Sequence, residues 1–164
     1  MILVNPEITP DQLFSFYERN DICETGFGKE TAARVLSHSS LIVGAFEQDR
    51  LVGIARAMFD GLSADIMELS LELRHQGDAL RYGCGSLVER DPSGLGRRIG
   101  KTLLDELIKM GATFITACIV EDCEESFYRS LGFEHNVGHL VYYIDRRPYV
   151  IGDSRQGDTD RTTP

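Results

Sequence analysis

The chain has few cysteines, few cations and no long apolar run, and each shortage excludes a class of protein. Its four cysteines, Cys23, Cys84, Cys118 and Cys123, are scattered and never form a C-x-x-C pair. That pattern is neither a disulfide framework nor a zinc or redox motif, so reduced, structurally passive thiols are expected. His38, His75, His135 and His139 are dispersed as well. His135 and His139 are four apart, but Gly138 and the extended sequence around them argue against a helical metal pair, and no metal site is expected. Lys and Arg total 17 against 26 Asp and Glu, a formal charge of −9. Such a surface repels a phosphate backbone, which excludes nucleic acid as a main partner. No apolar stretch approaches the ~20 residues of a membrane span. The opening Met1–Glu7 lacks the basic flank and long apolar stretch of a signal peptide. A soluble, cytoplasmic protein is the expectation.

What is present fits one domain. The 164 residues, 42% of them hydrophobic, suffice to bury a core without disulfides or metals. From Gly152 the composition collapses into Gly, Ser, Asp, Thr and Pro. Residues 1–151 therefore read as a single domain and 152–164 as a disordered tail. No internal repeat is visible.

The first half predicts an antiparallel meander. Residues 2–8 can form a short strand before a helix that starts at Thr9, with Pro10 in its first turn and Gln12 closing a capping box. Leu13, Phe14, Phe16 and Tyr17 supply its apolar side. A loop from Asp21 to Gly28 leads to a second helix around Glu30–His38. Strands follow at Leu41–Phe46, Leu51–Phe59 and Ala64–Leu73, separated by a polar turn at Glu47–Arg50 and by Asp60-Gly61.

The second half changes rhythm. Ile99, Leu103, Leu104, Leu107 and Ile108 recur at helical spacing until Gly111. Thr113–Val120 is an apolar strand. Asp122 with Glu125 resembles a capping box opening a helix that carries Phe127, Tyr128 and Leu131 and stops at Gly132. Leu140–Ile144 is the last expected strand.

Chemistry concentrates in two stretches. In Ser93-Gly94-Leu95-Gly96-Arg97-Arg98, two glycines directly before a helix let backbone amides approach an anion, and the helix dipole adds roughly half a positive charge. Arg97 and Arg98 could pair with phosphate oxygens. Gly94, Gly96 and Gly100 before a helix also imitate a dinucleotide-binding unit. Too little chain follows Val120 to complete that fold, and its upstream half would not be antiparallel. The other stretch is Phe127-Tyr128-Arg129-Ser130-Leu131-Gly132-Phe133.

Together with the element order, these motifs resemble the GNAT superfamily of acetyl-CoA-dependent N-acetyltransferases, over about residues 2–145. That family carries an R/Q-x-x-G-x-G/A loop opening a helix and, later, a helix ending F-Y-x-x-L-G-F. Three departures stand out. Asp91 occupies the place of the usual Arg or Gln, with Arg90 adjacent. Glu121 stands where many members have Asn. Arg74–Pro92 is an insertion: Arg74-His75-Gln76-Gly77 leads nowhere helical, and Gly83-Cys84-Gly85 suits the tip of an extra hairpin.

The resemblance implies an α+β fold, with a mostly antiparallel sheet splayed between its fourth and fifth strands and flanked by about four helices. It implies acetyl-CoA as co-substrate and a primary amine as acceptor, attacking the thioester in a ternary complex. Pantetheine would pair with Leu69, Ser70 and Leu71 in the splay, and the pyrophosphate would lie over Ser93, Gly94, Leu95, Gly96, Arg97 and Arg98. Tyr128 would face the sulfur. Its reference pKa near 10 exceeds a thiol's ~8.5, so it can protonate the leaving thiolate. Glu68, on the splayed strand, is the candidate general base. Asp21, Glu24, Phe27 and Glu72 are candidates for binding the acceptor. The net charge favours a small cationic amine; a protein N-terminus or lysine is the competing acceptor. A non-catalytic acyl-CoA sensor, or an interaction module on the same fold, is the rival from another class. A homodimer is left open.

Overall fold

The computed structural model describes residues 1–22, 28–142 and 144. They hold one sheet of five strands in sequential order: β1 Ile2–Val4, β2 Leu41–Glu47, β3 Arg50–Phe59, β4 Ser63–Leu71 and β5 Phe114–Ala117. The first four strands pair antiparallel, and β5 runs parallel to β4. Tight turns can only reverse a chain, whereas a parallel return needs a crossover. That crossover carries α3 Leu73–Gln76 and α4 Leu95–Met110. The remaining helices are α1 Pro10–Arg19, α2 Lys29–His38 and α5 Glu121–Ser130.

Both faces of the sheet are covered, which is why β2 reads as a continuous apolar run. Leu41, Val43 and Ala45 point to one face, where Ile99, Leu103 and Leu107 of α4 and Phe127 and Tyr128 of α5 complete the larger core. Ile42 and Phe46 point to the other, against Leu13, Phe16 and Tyr17 of α1 and Ala32 of α2. The glycine of α4 at position 100 sets how closely that helix packs. A Cβ there would meet Leu131 Cδ1 at 2.8 Å and Leu69 Cδ1 at 3.1 Å.

The start of α1 forms as its residues dictate. Thr9 Oγ1 accepts the Gln12 amide at 3.1 Å, and Gln12 Oε1 accepts the Thr9 amide at 2.9 Å. Thr9→Ala is expected to cost about 1 kcal/mol, since it orphans a first-turn donor while touching no core atom. Urea unfolding reads this directly; an unchanged midpoint would mean that water replaces the cap at no cost.

Several expectations need correction. β4 stops at Leu71 rather than Leu73, which opens the short helix α3; no further helix follows Gly77 until Leu95. β5 covers Phe114–Ala117 rather than 113–120. Asp122 does not cap α5; the N-cap is Val120, and Asp122 lies in the first turn, paired with Arg81 at 2.7 Å. Gly83–Gly85 forms no hairpin: Gly85 is instead wedged between Asn20 and Leu71. Leu140, Val141, Tyr142 and Ile144 are exposed and not in a strand. Apolar alternation supplies a strand's surface but not its partner, and among the described residues none pairs with them. Residues 152–164, Tyr143 and Cys23 lie outside the described residues.

Candidate active site

β4 carries a bulge where it leaves β5. Arg56 pairs with Glu68 and Ala57 with Ile66, so Met67 is the extra residue. A bulge bends its strand, and the β4–β5 ladder ends at Ile66–Ala117, one residue before it. β5 itself ends at Ala117, so beyond that point β4 runs on to Leu71 with no β5 partner, which leaves the gap that the expected splay requires. Glu72 donates its amide to Val52 of β3 at 2.9 Å, while Leu71 donates away from β3. Amides alternate along a strand, so Leu69 turns its peptide edge into the gap and Ser70 turns its own to β3. Ser70, fully buried, cannot offer its amide to a ligand there. Leu71 faces the gap, but its amide already donates to Gly85 O at 2.9 Å.

At the start of α4, Gly94 adopts φ 67°, the left-handed conformation that glycine tolerates, and turns the chain into the helix. The expected anion cradle is already filled from within. Asp91 accepts the Gly96 amide at 3.1 Å and the Arg97 amide at 2.8 Å, and Ser93 Oγ accepts that of Leu95 at 3.3 Å. Asp91, a departure from the family's usual Arg or Gln, therefore caps the helix. Its signal was legible: Asp and Ser just ahead of a helix are cap residues. Arg97 and Arg98 are exposed beside this turn, and Arg98 Nη1 donates to Ser93 O at 3.1 Å.

Across the larger core stands Tyr128, 6% exposed. Its ring meets Phe127 and Phe133 edge-on, at centroid distances of 5.4 and 5.5 Å. Burial, reinforced by the charges of Glu124 and Cys118, pushes its hydroxyl well above the ordinary phenol range. The group keeps its proton throughout the physiological range.

Glu68 projects to the opposite face, under α1. Its carboxylate accepts Arg56 Nε at 2.5 Å, the Tyr17 hydroxyl at 2.7 Å and Ser70 Oγ at 2.8 Å. Burial works against the Arg56 charge, but Glu68 and Tyr17 outweigh it and raise its pKa. The candidate acid and base thus flank the sheet from its two faces, with the splay between them.

The acceptor candidates separate. Glu72 is only 3% exposed and is held by Arg50, by Arg74 Nε at 2.5 Å and, more loosely, by Arg19 at 3.6 Å. It is a buried ion-pair centre and is unavailable to an acceptor. Burial pushes its carboxyl up, yet the hydrogen bonds and charges of Arg74 and Arg50 prevail and hold it below the usual 4.5. A depressed carboxyl contributes stability above its unfolded pKa, lost as pH falls through the folded one. Glu72→Gln should accordingly flatten the acid side of a stability profile taken from about pH 3 to 7. A parallel profile for parent and variant would contradict this. Asp21 is exposed, and its carbonyl accepts the Cys84 thiol at 3.1 Å. Glu24 and Phe27 lie outside the described residues.

Three buried polar residues escaped sequence reading as functional positions. Asn20, 1% exposed, accepts the Leu73 amide at 3.0 Å. Glu124, 4% exposed, accepts the amides of Val88 and Val120, each at 3.1 Å. Gln76 is fully buried, accepts the Glu89 amide at 2.9 Å and donates to Leu71 O at 3.3 Å. Each acts on chain distant in sequence. A separate open depression of about 490 Å³, lined by residues including Asp11, Arg19, Glu47 and Arg50, shares no residue with the splay. Among the described residues, no group of three or more His, Cys, Asp or Glu could hold a metal ion, and no helix is long and apolar enough to cross a membrane.

No protein-family model and no curated protein matches the sequence. Solved structures do match. A Staphylococcus aureus protein of unknown function superposes with a TM-score of 0.66 at 16% identity, over 88% of this chain and 99% of its own. A GNAT-family acetyltransferase from Streptococcus pneumoniae gives 0.60 at 22% identity, over 89% and 98%. The glucosamine-6-phosphate N-acetyltransferase of Arabidopsis thaliana gives 0.60 at 17%, over 88% and 99%. The likeness is one of fold: this chain has the fold of the GNAT-family acetyltransferases.

Proposed function

We propose that this chain is an N-acetyltransferase that takes its acetyl group from acetyl-CoA and passes it to a primary amine. The observation that carries the reading is the splay after Ile66–Ala117, with the Leu69 peptide edge in the gap and a protonated tyrosine, Tyr128, in the same core. An unpaired peptide edge suits an extended ligand bearing amides of its own. Leu69, together with the apolar side chains around it, would hold the pantetheine arm, and the first turn of α4 with Arg97 and Arg98 would hold the phosphates. Acetyl-CoA supplies an activated acyl group and a thiolate leaving group. Tyr128 keeps a proton ready for that thiolate, and the amide edge of β4 steadies the charge that develops on the carbonyl oxygen. Glu68 stands on the acceptor side: Arg56 and Tyr17 share its Oε2 and Ser70 alone is on Oε1, which leaves one lone-pair position on Oε1 to take the ammonium proton.

The acceptor is a small cationic amine. A net charge of −9 draws cations by long-range steering, an effect that salt screens. The enzyme named for glucosamine-6-phosphate shows that an acceptor on this fold can itself carry phosphate, so the acceptor must be tested directly. Release of free CoA across an amine panel tests the reading. A dicationic amine is expected to give a higher kcat/KM than its neutral isostere, with the margin narrowing at high salt. Preference for the neutral amine at both ionic strengths would overturn the electrostatic part, and no release with any amine would overturn catalysis. A specific observation favours a second reading, a non-catalytic module: Asp91 and Gly85 already occupy polar groups that a cofactor would use.

A further inference from the structure

The later part of the insertion after α3, from Cys84 on, is neither a surface loop nor a hairpin, with Cys84, Gly85, Leu87 and Val88 buried. It touches in turn β4, α5 and α4, the three elements to which the acetyl-CoA reading assigns the cofactor. Gly85 donates to Asn20 O at 2.7 Å and accepts from Leu71 N at 2.9 Å, which seats it against β4 like a residue of an added strand. Only glycine fits that seat: a Cβ would lie 2.7 Å from Asn20 Cβ and 3.1 Å from Leu71 O. Gln76 holds Leu71 O and the Glu89 amide together, so both polar groups of Leu71 are engaged. Val88 is fully buried, its amide on the carboxylate of Glu124 in α5. Asp91 then closes on the first turn of α4.

We propose that residues 84–91 are a displaceable strap that occupies the cofactor cleft from within, so that acyl-CoA binds only to the fraction of molecules in which the strap has let go. This rests on the acetyltransferase reading. Its chemistry is mimicry: a peptide carbonyl takes the β4 amide that pantetheine would use, and a carboxylate takes the α4 amides that a phosphate would use. Gly77 and Gly94, at φ 84° and 67°, bracket the segment with backbone conformations that few other residues adopt, and are its natural pivots. Apparent affinity falls in proportion to the open fraction, so weakening an anchor must tighten binding.

The test uses the full chain, with CoA as the probe. Hydrogen exchange over 84–91 is followed with and without CoA, and the Kd is measured by calorimetry for the parent, Asp91→Ala and Glu124→Gln. Asp91→Ala removes the carboxylate from α4; Glu124→Gln leaves a side chain that can accept only one of its two amides well. The strap predicts faster exchange over 84–91 when CoA is bound, and about tenfold tighter binding in each variant, the scale of one lost cap. CoA binding to the variants alone would support it equally. Binding to the parent with exchange unchanged over 84–91 and no tightening in either variant would overturn the strap and leave the acetyltransferase reading standing. No binding to any of the three would overturn both.

Discussion

Tyr128→Phe is expected to lose turnover by about 100-fold, the scale of a lost general acid, with CoA affinity unchanged. The ring contacts to Phe127 and Phe133 survive the substitution, so the larger core keeps its packing. What goes is one proton, held by a hydroxyl that burial and the Glu124 charge keep from ionising. That elevation guarantees the protonated form but weakens it as an acid, so the donor is effective only where a thiolate develops beside it. Single-turnover measurement isolates the step. Unchanged turnover with chemistry rate-limiting would make Tyr128 a packing aromatic and nothing more.

Glu68→Ala is expected to cost about 3 kcal/mol of stability, the scale of a broken buried ion pair. Arg56 and Glu68 have side chains only 12% and 8% exposed, and removal of the carboxylate leaves the buried guanidinium without its counter-charge, with only neutral hydroxyl partners such as Ser39 Oγ. The Tyr17 and Ser70 hydroxyls lose their acceptor at the same time. Pairing the change with Arg56→Met should restore much of the loss, because the uncompensated charge then leaves too. Glu68→Gln separates fold from chemistry: the amide keeps the side chain's size and an accepting oxygen but cannot take a proton, so a large fall in kcat with the fold retained would mark Glu68 as the base. A double mutant no better than Glu68→Ala would contradict the ion-pair argument.

Local signals were the legible ones. Thr9 and Gln12, Gly111 behind α4 and Gly132 behind α5 each mark an end where the sequence alone puts it, because caps depend on a few adjacent residues. The splay and Tyr128 became legible through a resemblance that spans the domain. What stayed hidden is long-range. Side-chain alternation correctly put Glu68, Ser70 and Glu72 on one face, yet it says nothing of which edge their amides face. Ser70 therefore looked available when its peptide edge belongs to β3. Glu72 looked like an acceptor contact until three arginines from separate segments converged on it. The insertion looked like a hairpin because glycines at 83 and 85 suit a turn; Gly85 instead answers the lack of space beside Asn20, which only the assembled fold creates.

The most direct test of the central claim is an acetyl-CoA titration of the full chain, followed by NMR of the backbone amides and aromatic rings. Saturable shifts are predicted at Leu69 in the β4–β5 gap, at Gly96 and Arg97 on the first turn of α4, and in the Tyr128 ring. Shifts confined to the separate depression around Asp11 and Arg50, or none that saturate, would contradict it.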